Sequence, residues 1–221
     1  MLLKSTYDKT MQKIIKKIKD IEPKIKALIK QRLNEFKDLN QKGNDEWFSE
    51  LCFCILTANS RAKTAMSIQK QLGCNGFLKG DEKIVCSCII DNKHRFHNNK
   101  TRFIIKARKF VKIKDIITDL VKEDGQKLAR EWIVDNIKGI GYKEASHFLR
   151  NVGYFDLAIL DRHILRLMDE EGFIKEIPKS LSKKTYLDIE EKYIGLSRKA
   201  RMNAAELDLN LWYLQTGEIL K

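Results

Sequence analysis

The chain has 221 residues, with 43 Lys or Arg against 30 Asp or Glu, a net charge of +13. Its hydrophobic content of 43% supports a buried core and excludes a disordered basic tail, and the length suits one domain or two small lobes. No apolar run is long enough to span a bilayer, the N-terminus lacks the pattern of a signal peptide, and an odd five cysteines with two close C-x-C pairs do not read as a secreted disulfide framework, so a cytoplasmic protein is expected.

Taken in order, the chain reads as helix after helix. Residues 6–21 carry Ile14, Ile15, Ile18 and Ile21 on one helical face, and a second helix over 24–37 continues the stripe with Ile25 and Leu28. The eleven basic and five acidic side chains of the first 40 residues are the solvated sides of these helices. A turn over 38–46 leads to FSELCFCILTAN, an apolar segment long enough for a buried helix, although its Phe and Cys content leaves a strand open. Asn59 and Ser60 break it, and a helix resumes over 62–72. GCNGFLKG (73–80) is a glycine-marked loop, followed by short helices over 81–91 and 98–111. Residues 113–121 are ambiguous because they are rich in β-branched side chains. Further helices are predicted over 124–137, 143–151, 161–170, 183–192 and 201–216. With no alternating strand pair and no internal repeat, the fold class is all-α. The cysteines Cys52, Cys54, Cys74, Cys86 and Cys88 read as core thiols in preference to a zinc site.

A charge of +13 points to a polyanion, with nucleic acid ahead of an anionic membrane surface. The window KHRFHNNKTRFIIKARKFVKIK (93–114) holds nine basic residues and no acid, so Arg95 and Lys100 are candidate phosphate contacts. Phe96, Phe103 and Phe110 recur every seventh residue and are expected to form a buried stripe on a helix.

The sharpest local signal is AREWIVDNIKGIGYKEASHFLRNVG. One helix ends near Ile137, Gly139 and Gly141 make a tight turn, and a second helix starts near Lys143, giving a helix-hairpin-helix over about 124–151. Ile137, Ile140, Ala145, Phe148 and Leu149 are expected to lock the two helices. Backbone N–H groups at such a turn are free to bind an anion, and with DNA or RNA that anion is a phosphate; Lys138, Gly139 and Gly141 are the candidates. Lys143 sits close to the second helix's N-terminus, where the helix dipole favours the neutral, nucleophilic amine. Eighteen residues on, Asp161 opens the next helix, as an N-cap or as a carboxylate that shares a groove with Lys143.

GIGYKEASHFLRN followed by LDRHILR resembles the helix-hairpin-helix superfamily of DNA glycosylases, and within it the type-2 8-oxoguanine DNA glycosylase/AP lyases. The C-terminal AAELDLNLWYLQTGEILK, with its terminal lysine, resembles that family too, and FCILTANSRAKTAMSIQKQLG resembles the superfamily's helix–loop–helix that approaches the DNA minor groove. The resemblance covers roughly residues 45–221. It implies two helical lobes around a DNA-binding cleft and removal of 8-oxoguanine, paired with cytosine, from double-stranded DNA, with nicking of the abasic product. Lys143 matches the family's catalytic lysine and Asp161 its catalytic aspartate. His163 matches a histidine that approaches phosphate, and Asn59 falls near the position that meets the orphaned cytosine. Lys221 is implied in recognition of the damaged base; Trp212 is a wall of that pocket or a core tryptophan, and Asp208, one turn earlier, faces a flipped purine. Lys138 stands where many relatives have proline. No cysteine follows Cys88, so the four-cysteine iron–sulfur centre of some relatives is excluded. The expected enzyme needs no metal or organic cofactor and works as a monomer at chromosomal DNA. The rival readings are a non-catalytic helix-hairpin-helix DNA-binding module and a glycosylase for a different damaged base.

Overall fold

The computed structural model describes the backbone from Leu2 to Lys221 and the side chains from Thr10 onward. Eleven α-helices are present among the described residues, with no strand: α1 (Leu2–Lys19), α2 (Pro23–Gln41), α3 (Asn44–Thr57), α4 (Ala62–Lys79), α5 (Glu82–Asp91), α6 (His97–Ala107), α7 (Ile113–Asn136), α8 (Tyr142–Asn151), α9 (Arg162–Glu170), α10 (Lys183–Ala200) and α11 (Ala204–Thr216), with a 3₁₀ turn at Arg108–Phe110. The chain divides into two compact units, one of residues 36–154 and the other of residues 1–35 with 155–221.

In the unit of residues 36–154, α3 is central. Every residue from Trp47 to Thr57 is buried, as expected of a helix apolar on all sides, and α4, α6, α7 and α8 pack around it. Trp47 meets the Phe148 and Tyr154 rings edge-on at 6.0 and 6.2 Å. The buried Glu50 carboxylate is paired: Asn151 donates to it at 2.6 Å, and Gln69 at 3.0 Å.

In the other unit, α9 and α10 pack on α11, and α1 lies against α10 and α11. Ile14, Ile18 and Ile21 are buried, as the helical stripe requires, whereas Leu28 is 49% exposed and Ile29 takes the inward position on α2. Tyr186 and Tyr193 are fully buried and place their hydroxyls on the carbonyls of Ala158 and Ala204, at 2.7 and 3.1 Å.

Several sequence expectations change. The helix over 62–72 does break at Gly73 (φ +58°, ψ −174°), but the residues beyond it are helical and not a loop, and Gly125 (φ +81°, ψ −178°) likewise separates two helical stretches within 113–136. With ψ near 180° these glycines leave the helical region, a conformation open to glycine that turns the chain between one helical stretch and the next. The turn expected over 38–46 shrinks to two residues between α2 and α3. The phenylalanine stripe does not form: Phe96 precedes α6 and is 37% exposed, and the 3₁₀ turn takes Phe110 out of helical register, to meet Trp132 edge-on at 5.1 Å. All five cysteines are free thiols; Cys52 and Cys54 are buried, while Cys74, Cys86 and Cys88 are half-buried, not core.

Candidate nucleic-acid interface and active site

The hairpin between α7 and α8 is built from both sides. Ile137, Ile140, Ala145, Phe148 and Leu149 are all buried beneath it. Arg130, fully buried on α7, donates to Ser146 Oγ at 3.2 Å and lies 5.2 Å from the Tyr142 ring centre, and the Tyr142 hydroxyl donates to Glu131. These contacts fix the first turn of α8, which carries Lys143.

The two hairpin glycines have different reasons to be glycine. Gly139 has φ +86°, and a Cβ there would sit 2.3 Å from Cδ2 of Phe103. Gly141 is extended (φ −105°, ψ −171°) and caps α8, and a Cβ there meets nothing closer than 3.5 Å. Only Gly139 is demanded by backbone geometry, which corrects the expectation of two special glycines. The Gly141 amide is also not free, since its N–H donates to Glu144 Oε2 at 3.3 Å. The other oxygen of Glu144 lies 3.1 Å from Lys143 Nζ. The sequence reading of Lys143 considered only the helix terminus and missed this neighbouring carboxylate; its signal is the capping-box spacing of a glutamate three residues after the cap. The Lys143 side chain retains 25% of its exposure, enough for the amine to be reached.

Lys138 is exposed beside the hairpin and lines a cavity of about 320 Å³ together with Lys106, Lys109, Phe110, Asn136 and Ile137. No acidic side chain lines it. Lys106 and Lys109 were not singled out within the basic window, although they are the two lysines of that window that share a cavity with the hairpin.

In the same unit, the structure brings Asn59 and Arg95 together: Arg95 Nη2 donates to the Asn59 carbonyl at 3.3 Å, and its guanidinium covers the Phe96 ring at 4.5 Å. Both residues are exposed. Lys100 is placed differently from expectation. It is 4% exposed, and its Nζ donates to the Ile55 carbonyl at 2.6 Å, so it is not a surface cation available to phosphate. Burial holds its pKa down at about 8, with the Glu144 carboxylate opposing and the Lys143 charge adding to the depression. Charge counting along the window could not reveal this, because the inward position of Lys100 depends on how α6 packs against α3.

In the unit containing α9–α11, Asp161 is the N-cap of α9. Its Oδ1 accepts from the backbone N–H groups of His163 and Ile164 at 2.8 and 2.9 Å. Oδ2 makes no hydrogen bond among the described residues. The cap therefore holds the carboxylate by one oxygen and leaves the other for chemistry. His163 meets the Trp212 ring edge-on at 4.9 Å. Asp208 is 4% exposed, and Trp212 is half-buried with an indole N–H that has no hydrogen-bond partner among the described residues. Lys221 follows the left-handed C-cap Gly217 (φ +71°). A cavity of about 170 Å³ in this unit is lined by Gln31, Arg32, Glu35, Tyr213 and Ile219 among others, and neither Asp208 nor Trp212 lines it. Among the described residues no group of three His, Cys, Asp or Glu side chains is gathered as a metal site.

An all-helical, basic chain whose hairpin presents a lysine at the start of its second helix defines a helix-hairpin-helix protein. Residues 29–202 match the family model described as 8-oxoguanine DNA glycosylase. The chain is 48% identical over 209 residues to the 8-oxoguanine DNA glycosylase/AP lyase of Methanocaldococcus jannaschii, covering 94% of this chain and 99% of that one. It is 42% identical over 199 residues to the protein of that name from Korarchaeum cryptofilum, covering 90% and 92%. The crystal structure of the M. jannaschii glycosylase/lyase in complex with a 15-mer DNA containing 8-oxoguanine superposes with a TM-score of 0.89, covering 94% of this chain and 99% of that one. The 8-oxoguanine DNA glycosylase of Thermotoga maritima superposes with a TM-score of 0.87 at 41% identity, covering 96% and 100%. The chain belongs to the 8-oxoguanine DNA glycosylase family.

Proposed function

We propose that this chain excises 8-oxoguanine from double-stranded DNA, where the lesion pairs with cytosine, and then cleaves the abasic strand, with Lys143 as nucleophile and Asp161 as its acidic partner. The observation that carries the reading is an accessible lysine amine on the first turn of α8, in a chain 48% identical to a protein crystallised on 8-oxoguanine DNA. The target base is stacked inside the duplex and must be flipped out before an amine reaches its sugar. The neutral Lys143 amine attacks C1′, the N–C1′ bond forms, and the glycosidic bond breaks as the base leaves with the electron pair and takes up a proton. The free Oδ2 of Asp161 faces the positive charge that develops on the sugar and serves the proton transfers. The C1′–O4′ bond then breaks, O4′ takes up the proton released from the nitrogen as the sugar ring opens, and the C1′=N Schiff base that forms acidifies C2′–H. Its removal expels the 3′-phosphate and nicks the strand.

Lys138, with Lys106 and Lys109, grips backbone phosphates, while Asn59 and Arg95 meet the duplex from the turn after α3. His163 approaches a phosphate. Asp208, Trp212 and Lys221 read the lesion, whose N7–H distinguishes it from guanine by offering a donor where guanine has an acceptor. The protein works as a monomer on chromosomal DNA in the cytoplasm, without a cofactor. The test is release of free 8-oxoguanine from a lesion duplex, followed by chromatography, alongside binding of the same duplex. Wild type releases the base, and Lys143→Gln binds but releases none. Binding without release by wild type itself identifies a DNA-holding module; release of a different base corrects the lesion assignment.

A further inference from the structure

The C-terminal end of α3 is held in an unusual way. The last carbonyls of a helix have no intrahelical donors, and here two of them are taken by side chains from a single later segment. Lys100 Nζ donates to the Ile55 carbonyl at 2.6 Å, and His94 Nε2 lies 3.0 Å from the Leu56 carbonyl. Nδ1 of His94 accepts from the Phe96 amide at 3.2 Å, so the ring is a neutral imidazole with its proton on Nε2. Both side chains are buried, at 4% and 2% exposure. A third contact from the same segment, Arg95 to the Asn59 carbonyl at 3.3 Å, continues the series one turn further.

What these groups hold is a short tip. Asn59 follows the end of α3 in left-handed conformation (φ +58°), its backbone pinned by the Ser60 N–H to Thr57 carbonyl bond at 3.0 Å. Its side chain is exposed and makes no hydrogen bond among the described residues. An exposed carboxamide on a rigid left-handed turn, braced from behind, is arranged to meet a partner and not the protein itself. The brace is costly: an ammonium buried beside a carbonyl loses its hydration, and the pKa of Lys100 falls to about 8 in consequence. A methionine of similar length fills such a slot without that cost, so the retained charge points to a task other than stability.

We propose that Lys100, together with His94, is a positioning residue that holds the Asn59 turn as a rigid tip for entry into the duplex when the damaged base leaves the stack. The proposal rests on the reading of this chain as a base-flipping glycosylase, and it makes a distinction that a general structural role does not. Flipping the lesion leaves an unpaired base opposite, and a tip helps by filling and holding that gap. A preformed abasic site has no base to unstack and depends on the tip less.

The experiment measures single-turnover rates for wild type, Lys100→Met, Lys100→Arg and Asn59→Ala on three duplexes: 8-oxoguanine opposite cytosine, 8-oxoguanine opposite a tetrahydrofuran gap, and a preformed abasic site opposite cytosine. Thermal melting of each protein accompanies the rates. Lys100→Met and Asn59→Ala are expected to slow excision opposite cytosine by about 10- to 100-fold, the cost of a displaced positioning group. Both are expected to recover most of the rate opposite the gap, and Lys100→Met is expected to cleave the abasic duplex within about threefold of wild type with no lowered melting temperature. Lys100→Arg, which keeps the charge and the donors, restores part of the rate. An equal loss on all three duplexes, or no loss from Lys100→Met in a folded protein, overturns the proposal. No loss from Asn59→Ala overturns it too, by removing the tip's function. The abasic-duplex rate of wild type reports on the glycosylase/lyase reading separately, since absence of strand cleavage there sinks that reading whatever Lys100 does.

Discussion

Replacing Gly139 by alanine asks two things of the hairpin at once. The backbone must keep φ at +86°, and a Cβ must share space with a Phe103 ring carbon 2.3 Å away. The left-handed conformation costs a non-glycine residue about 1–2 kcal/mol. Forcing a ring out of its packed position costs about 1–3 kcal/mol more. The sum, about 2–5 kcal/mol, is a large part of an ordinary folding free energy of about 5–15 kcal/mol. In a chain of this size each kcal/mol lowers Tm by about 2–4 °C, so Gly139→Ala is expected to melt roughly 4–20 °C below wild type. Two controls separate the causes. Gly141→Ala, at an extended backbone position with open space, is expected to stay within about 0.5 kcal/mol of wild type. Placing Gly139→Ala in a Phe103→Ala background is expected to cost at least about 1 kcal/mol less than in wild type, because the clash is gone while the φ penalty stays. Calorimetric melting of wild type, the three single variants and the double variant measures all of this. If Gly139→Ala melts with wild type, or if the two glycines respond alike, the account of the hairpin is refuted.

Three further expectations follow from the site. Asparagine caps a helix about as well as aspartate, so Asp161→Asn should keep the melting temperature of wild type while abolishing most excision; Asp161→Ala should in addition lose about 1 kcal/mol of stability. Retained excision in Asp161→Asn rules out a charged role for that carboxylate. The pKa of Lys100 lies near 8 in the folded protein, below the ordinary 10.5, so between these values the unfolded chain binds more protons and stability rises with pH. The stability of wild type relative to Lys100→Met should accordingly increase by up to about 3 kcal/mol between pH 7.5 and about 10.5, read from denaturant melts, and a flat difference contradicts the buried charge. Removing Lys221 should reduce the preference for lesion over undamaged duplex while leaving abasic-site cleavage in place, and an unchanged preference removes Lys221 from base recognition.

The helices were largely legible because their apolar spacing is local information: the buried Ile14 and Ile18 of α1 with Ile21 just beyond it, the mostly apolar run of α3 and the hairpin's Ile137, Phe148 and Leu149 stand where the pattern puts them. What pattern could not supply was packing between distant segments. Gly73 is the break that the pattern puts after 62–72, but the helical turns that resume beyond it, and the helix that precedes Gly125, were not legible. Phe96, Phe103 and Phe110 keep a seven-residue spacing that suggests one face, but only residues 97–107 are α-helical there, so the spacing has no common axis to act on. Lys100 looks like any other lysine in a basic run until α6 turns it toward the end of α3. Glu144 was legible as a capping residue but not as the neighbour of Lys143, since that contact depends on how two side chains fold back over one helix turn. Position and spacing left Asp161 as an N-cap or as a carboxylate sharing a groove with Lys143, and the resemblance of GIGYKEASHFLRN and LDRHILR to a family is what implied the catalytic pair.

The central claim is that the Lys143 amine becomes covalently joined to C1′ of the damaged nucleotide, and borohydride trapping tests it most directly. A duplex with one 8-oxoguanine opposite cytosine is incubated with wild type, Lys143→Gln or Lys100→Met in the presence of borohydride, and the reduced adduct is digested and sequenced by mass spectrometry. The account predicts a cross-linked band for wild type whose modified peptide carries the sugar on Lys143, no band for Lys143→Gln despite retained duplex binding, and a slower but chemically identical adduct for Lys100→Met. A sugar carried by any other residue, or an undiminished band from Lys143→Gln, contradicts it.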